Sequence, residues 1–186
     1  MGDGGVGERF RSRNFATFQE TPATKPAVDL CKRFCAAVKR DPKVPGLLLK
    51  GSCGTGKTHL AVAILRETAE AGISGMFVVV PDLIAKMLAS FDAKDGKAGA
   101  LVETAKSVPL LVLDDLGAEN PKPWVVELVY VLINHRYEHM LPTIITTNYD
   151  GTKIGAVFGK RIQSRLAEMT VPVNIRAEDY RMRGAC

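Results

Sequence analysis

No run of apolar residues in this chain of 186 residues approaches the roughly 20 needed to cross a bilayer. The start, Met1-Gly2-Asp3-Gly4-Gly5-Val6-Gly7, has no apolar core of the kind a secretory signal requires. N-myristoylation would want Ser or Thr where Val6 stands. These absences give the expectation of a cytoplasmic chain with no membrane partner. The four cysteines (Cys31, Cys35, Cys53 and Cys186) form no C-x-x-C unit, so neither a zinc site nor a disulfide framework is indicated. Cys31 and Cys35 fall four apart on a predicted helix and read as small buried apolar residues. His135 and His139 share that spacing, but a metalloprotease helix needs Glu after the first His, and Arg136 stands there. Both histidines read as helix surface. No internal repeat is present, and no low-complexity tract beyond the first few residues.

A hydrophobic content of 46% and a charged content of 24% belong to an ordinary globular chain, long enough to bury one real core. The net charge of +5 is compatible with nucleic-acid contact but is also common in proteins that never touch it. Residues 1–14, Gly-rich and then basic at Arg9, Arg11 and Arg13, read as a mobile start, with one domain over 15–186. Phe10, Phe15 and Phe18 alternate with polar residues and suit either a place beside a bound base or cover for a core edge. A helix is expected over 27–40, with Val28, Cys31, Phe34, Cys35 and Val38 as its apolar stripe. Apolar strands then alternate with helices. Strands are predicted at 47–50, 75–80, 109–113, 143–147 and 171–175. Helices are predicted from the loop at 51–58 to about 71, then at 83–91 with Asp82 as cap, 97–107, 123–140 and 159–169, with a polar turn at 92–96. Trp124, Leu128, Leu132 and Ile133 mark the apolar set of the long helix. Strands apolar throughout imply a five-stranded parallel sheet between two helix layers, with the ligand at the strands' carboxyl ends. Pro172 puts the last strand at an edge.

One stretch dominates the chemistry. Gly51-Ser52-Cys53-Gly54-Thr55-Gly56-Lys57-Thr58 fits G-x-x-x-x-G-K-[ST], the phosphate-binding P-loop. Gly46-Leu47-Leu48-Leu49 before it and His59-Leu60-Ala61-Val62 after it supply the strand and helix that the motif needs. The glycines allow a tight turn with N–H groups pointing inward, and the helix adds its positive end. Lys57 would reach the β- and γ-phosphates and Thr58 would offer a hydroxyl to Mg²⁺. Gly51 to His59 is thus the expected ATP/ADP contact. Leu110-Leu111-Val112-Leu113-Asp114-Asp115 delivers acids to a strand end, the Walker B arrangement. There Asp114 would hold Mg²⁺ and Asp115 would polarise the attacking water. Thr146-Thr147-Asn148 places Asn148 where it can orient water near the γ-phosphate. Gly159-Lys160-Arg161-Ile162-Gln163-Ser164-Arg165-Leu166 carries Arg161 and Arg165 on one helix face. Either can be an arginine finger supplied to a neighbouring subunit's ATP, Arg165 being preferred.

This order of parts resembles an AAA+ ATPase, and within that superfamily the DnaC/DnaI/IstB group of helicase loaders and transposon-encoded relatives. LLVLDDLGAE (110–119), INHRYEHMLPTIITTN (133–148) and GKRIQSRL (159–166) carry the likeness, with Phe15 to Phe18 and Glu178-Asp179-Tyr180-Arg181 also fitting. The resemblance implies a P-loop ATPase with Lys57, Thr58, Asp114, Asn148 and Arg165 in the roles named above. Its implied partners are a hexameric replicative DNA helicase, single-stranded DNA and other copies of the chain in a ring or spiral. The family's extra helical element would fall at about 82–107, with Lys86, Lys94 and Lys97 as candidate phosphate contacts. Three features depart from the family pattern. Asp115 stands where AAA+ proteins usually have Glu, which implies slow hydrolysis or an ATP-binding switch. Only about 14 residues precede the core motifs, so the helicase-gripping segment belongs to a longer protein or the contact lies elsewhere. Only 176–186 follow the last strand, which implies a reduced or absent lid, with Arg181 a weak candidate for a second sensor. The alternatives are a transposition helper ATPase of the IstB kind, a small-molecule P-loop kinase and a non-catalytic module with a degenerate P-loop. Intact Lys57, Thr58 and Asp114 speak against the last.

Overall fold

The computed structural model describes residues 6–93, 96–117 and 121–180, without the side chain of residue 92. The α-helices are α1 (Lys25–Val38), α2 (Lys57–Glu70), α3 (Val80–Ala93), α4 (Lys97–Ser107), α5 (Pro123–Glu138), α6 (Gly151–Phe158) and α7 (Lys160–Met169). The strands are β1 (Gly46–Lys50), β2 (Gly75–Val79), β3 (Leu110–Asp114), β4 (Thr143–Thr147) and β5 (Thr170–Asn174). They form one five-stranded sheet, ordered β2-β3-β4-β1-β5, and every pairing is parallel.

The sheet is apolar on both faces because side chains alternate along each strand. Leu47, Leu49, Leu110, Val112 and Ile144 join the core under α1 and α2. Leu48, Leu111, Leu113 and Ile145 join the core under α3 to α7. The expected α1 stripe is wholly buried, and its thiols Cys31 and Cys35 are pushed up to about 12, burial being the main cause. Both cysteines therefore behave as small apolar residues. Strand β5 lies at an edge and pairs with β1 alone, Pro172 standing opposite Leu48, which accommodates a residue with no N–H to donate.

The order of strands is what assembles the site. Strand β4 lies between β1 and β3 and so sets its carboxyl end between theirs. Thr147 is opposite Lys50, and Ile145 is opposite Leu113.

Several local expectations shift. Strand β2 stops at Val79 and α3 begins directly at Val80, so Asp82 stands in the first helical turn and not at its cap. Pro81 is tolerated there because a first-turn residue has no intrahelical N–H bond to lose. Helix α3 runs to Ala93, into the expected turn. Helix α6 was not foreseen. Gly151 and Gly155 lower its propensity, but Asp150 caps it by accepting from the Lys153 N–H at 2.7 Å. Residues 8–14, expected to be mobile, start with a 3-10 turn, Glu8–Phe10, and Val6 and Phe10 pack against the core beneath α1 and α2. After β5 the described residues contain no further α-helix.

Arg136 is fully buried at 0% exposure and has no carboxylate partner among the described residues. Its guanidinium donates to Thr143 Oγ1 (2.8 Å) and to the carbonyls of Ala105 (2.9 Å), Lys106 (3.2 Å), Val108 (2.9 Å) and Pro142 (2.8 Å). It thus closes the C-terminal carbonyls of α4, where a helix end carries partial negative charge, and ties them to the start of β4. Burial lowers its pKa to about 9, which still leaves the cation dominant at neutral pH.

Candidate functional site

The P-loop leaves β1 at Lys50 and enters α2 at Lys57. Gly54 and Gly56 take positive φ, 72° and 96°. At Gly56 a Cβ would also meet the Phe18 ring at 2.6 Å, so both backbone and space demand glycine there. Thr55 Oγ1 donates to the Ser52 carbonyl at 2.9 Å. Lys57 Nζ donates to the carbonyls of Gly51 (2.9 Å) and Ser52 (2.8 Å), which tethers the ammonium to the loop it closes. The Tyr180 N–H donates to the Gly54 carbonyl at 3.1 Å, and the Asp179 carboxylate packs over Gly54.

At the end of β3 the two acids diverge. Asp114 is buried and accepts from Thr58 Oγ1 on both carboxylate oxygens, at 3.0 and 3.1 Å, and from Thr146 Oγ1 at 2.7 Å. Burial, with a lesser push from Asp115, raises its carboxyl to about 6 against these hydrogen bonds and the nearby Lys57. Asp115 is exposed and sits at φ 59°, a left-handed conformation rare for a non-glycine residue. Its N–H donates to Thr146 Oγ1 at 2.9 Å, and Thr147 Oγ1 donates to the Leu116 carbonyl at 2.7 Å. The Thr-Thr pair thus staples β4 to the turn after β3. It buries one acid beside Thr58 and turns the next one outward.

These parts share one cleft. A cavity of about 710 Å³ is lined by Cys53 to His59, Asp115 and Asn148, together with the N-terminal segment from Arg9 to Thr24 and the segment after β5. Gly51, Ser52 and Asn148 also border an adjoining cavity of about 480 Å³. His59 faces the N-terminal segment. Its Nε2 lies 2.9 Å from the Asn14 carbonyl and 3.3 Å from Thr17 Oγ1, and its ring stands edge-on to Phe18 at 5.1 Å. Burial lowers its pKa, so the neutral ring is favoured. Phe18 thus lines the cleft while packing against the core.

The sequence reading missed Arg9, Arg13 and Arg176, all of which line the cleft. Arg176 could have been found, since it follows directly on the carboxyl end of a parallel strand, where ligands bind. Arg9 and Arg13 could not, because nothing local shows that the first residues fold back over α2.

The donors suit a nucleotide and a hard cation. Thr58 hydroxyl and Asp114 carboxylate are oxygen ligands of the kind Mg²⁺ takes alongside phosphate. The glycine-shaped loop at the start of α2 suits phosphates. Among the described residues no three His, Cys, Asp or Glu side chains converge on a further metal position. His135 and His139 stack on each other at 4.1 Å at the end of α5.

The other predicted positions lie elsewhere. Arg161 is exposed, and Arg165 stacks on Tyr130 and Tyr137 of α5, away from the cleft. Lys86 and Lys97 are exposed on α3 and α4. Lys94, Glu119, Arg181 and Cys186 lie outside the described residues. No helix among the described residues is long and apolar enough to cross a membrane.

Comparison with known proteins agrees with this geometry. The family described as IstB-like ATP binding protein matches residues 34–185. Replicative helicase loader DnaI of Bacillus subtilis is 28% identical over 183 residues, which is 89% of this chain and 58% of the relative. An ATP-binding protein of insertion sequence IS21 from Pseudomonas aeruginosa is 28% identical over 153 residues, 80% of this chain and 56% of that one. The chain therefore spans just over half the length of these relatives. The crystal structure of the DnaC helicase loader superposes with a TM-score of 0.82 at 32% identity, covering 91% of this chain and 100% of that one. With its P-loop, its five-stranded parallel sheet and these relatives, the chain belongs to the IstB-like family of AAA+ ATP-binding proteins.

Proposed function

We propose that this chain is the ATP-binding and hydrolysing domain of a replicative helicase loader. The observation that carries the catalytic part is the Thr58–Asp114 pair, set beside an outward-turned Asp115 on a cleft that also holds Asn148. Gly51 to His59 bind the phosphates of ATP or ADP, and Lys57 exchanges its loop carbonyls for phosphate oxygens. Thr58 and Asp114 hold Mg²⁺, which supplies charge neutralisation at the phosphates. Asp115 and Asn148 orient the attacking water. Aspartate is one methylene shorter than the usual Glu, so turnover is slow. Besides Lys57, the cleft-lining Arg9, Arg13 and Arg176 can add positive charge at the phosphates from within the subunit. Arg165 lies away from the cleft and serves a neighbouring subunit's ATP, so hydrolysis depends on assembly into a ring or spiral. Lys86 and Lys97 on the α3–α4 element contribute salt-sensitive contacts to single-stranded DNA.

The likeness to DnaI and DnaC supports the loader reading and a replicative helicase as partner. The likeness to an IS21 ATP-binding protein supports a second reading, a transposition helper that meets duplex DNA and a transposase. ATPase activity measured against protein concentration, with and without single-stranded DNA, tests the first: specific activity should rise with concentration. A flat profile means the site is complete in one subunit. Parallel capture by immobilised replicative helicase and by transposase separates the two partners, and retention by transposase alone overturns the loader reading.

A further inference from the structure

Arg165 lies over two aromatic rings. Its guanidinium carbon lies 5.0 Å from the Tyr130 ring centroid and 5.5 Å from that of Tyr137. Both rings come from α5, two turns apart and therefore on the same side of that helix. Arg165 Nε is buried with no hydrogen-bond partner, and no carboxylate among the described residues pairs with the guanidinium. Tyr137 is itself fixed, its hydroxyl donating to Glu168 Oε2 at 2.8 Å across the α5–α7 contact. Arg161, one turn earlier, is exposed and lies over no aromatic ring among the described residues.

A guanidinium offers its π faces and its N–H edge to different partners. The faces stack on aromatic rings, while all its donors lie in the plane. A slot made of rings therefore fixes the group without consuming its outer hydrogen-bond donors. Arginine carries about 2 kcal/mol of side-chain rotamer entropy, and restraint before binding removes that loss from the binding event. An ion pair would restrain it as well, but would neutralise the charge and occupy the fork.

We propose that Tyr130 and Tyr137 are positioning residues that present the Arg165 fork to the phosphates of ATP bound by a second copy of this chain. This rests on the reading of Arg165 as a finger acting between subunits. The rings act through Arg165 and touch no nucleotide. They serve the subunit that donates the finger, not the one that binds the ATP.

That asymmetry is the test. Tyr130→Leu, Tyr137→Leu and their combination are compared with Arg165→Ala, each alone and mixed with Lys57→Ala subunits, which keep the tyrosines and Arg165 but lack the P-loop lysine. The combined Leu variant is expected to lose about tenfold in kcat, the scale of a misplaced catalytic group, with KM for ATP within about twofold. Lys57→Ala subunits restore its turnover, because they supply a presented finger to its intact P-loop. Tyr130→Phe and Tyr137→Phe, which keep the faces, recover most of the loss, and this separates ring stacking from the Glu168 bond. If the combined variant does not fold, the single Leu variants are read in its place. Wild-type turnover in the Leu variants beside a crippled Arg165→Ala overturns the proposal and leaves the finger standing. A loss that Lys57→Ala subunits cannot restore overturns it too, since the tyrosines would then act within their own subunit. Wild-type turnover in Arg165→Ala overturns the finger reading itself, and this proposal with it.

Discussion

Thr58 Oγ1 donates to both carboxylate oxygens of Asp114, at 3.0 and 3.1 Å, across the gap between the start of α2 and the end of β3. The acid is buried at 4% exposure and its pKa lies at about 6. Between its ordinary value of 3.8 and about 6, the folded chain keeps a proton that the unfolded chain has released. Stability contributed by this group is therefore lost as pH rises through that interval, reaching about 3 kcal/mol above it. Metal binding needs the opposite form, the ionised carboxylate. Asp114→Asn is expected to raise the melting temperature by roughly 5 °C at pH 7.5 and to abolish ATP hydrolysis. The gain should vanish near pH 4, where the native carboxyl is neutral too. Thermal melts of both proteins across this pH range check the sign, and a gain that grows as pH falls contradicts the burial argument.

Gly56 has two reasons to be glycine, φ of 96° and the Phe18 ring against its Cα. Gly56→Ala strains the backbone and displaces Phe18 together with the N-terminal segment that lines the cleft. A stability loss of about 2 kcal/mol is expected, with loss of ATP binding. Gly72, also at positive φ but with open space around it, provides the control: Gly72→Ala should cost about 1 kcal/mol and leave nucleotide affinity intact. Equilibrium unfolding and nucleotide titration separate the two effects.

Arg136 joins the end of α4 to β4 through five acceptors, with no counter-charge among the described residues. Arg136→Met leaves four carbonyls and the Thr143 hydroxyl without this donor in a dry environment. The expected loss is about 3 kcal/mol, from largely buried acceptors that lose a charged donor, the Pro142 carbonyl keeping only the Leu111 N–H at 3.4 Å. Arg136→Lys has one compact ammonium in place of a planar fork and recovers less than half. Hydrogen exchange should quicken first in α4, because its C-terminal carbonyls lose their closure. Unchanged α4 protection in a destabilised Arg136→Met would mean the bonds matter only to the sheet.

The motif residues were legible because their chemistry is local. P-loop, Asp-Asp and Thr-Thr-Asn each sit at the end of an apolar strand, and alternation of apolar strands with helices is enough to bring strand ends to one side. What escaped depends on contacts distant in sequence. Arg136 read only as the residue that spoils a zinc motif, since nothing nearby marks it for burial. Tyr130 and Tyr137 carry no local signal, since only the packing of α7 on α5 brings Arg165 over their rings. Thr146 reads from the sequence only as part of a strand tip, whereas its hydroxyl joins Asp114 to the Asp115 N–H. Helix α6 was hidden by its glycines, although Asp150 marked its start.

Cys53 gives a direct chemical test of where the phosphates lie. It is exposed, whereas Cys31 and Cys35 are buried, with their thiols pushed up to about 12. Thiolate is the reactive form, so at pH 8 a water-soluble maleimide should label Cys53 far ahead of those two. Cys186 lies outside the described residues, and Cys186→Ser removes its signal from the measurement. In that background, saturating ATP with Mg²⁺ should slow Cys53 labelling by about tenfold, because phosphates seated on the loop cover the thiol and place negative charge beside a developing thiolate. Lys57→Ala should remove this protection while leaving the unprotected rate within about twofold, since the Lys57 ammonium is tethered to the Gly51 and Ser52 carbonyls and not to the thiol. A labelling rate indifferent to ATP in the wild-type loop would mean that the phosphates do not sit over residues 51–58, whatever the motif suggests.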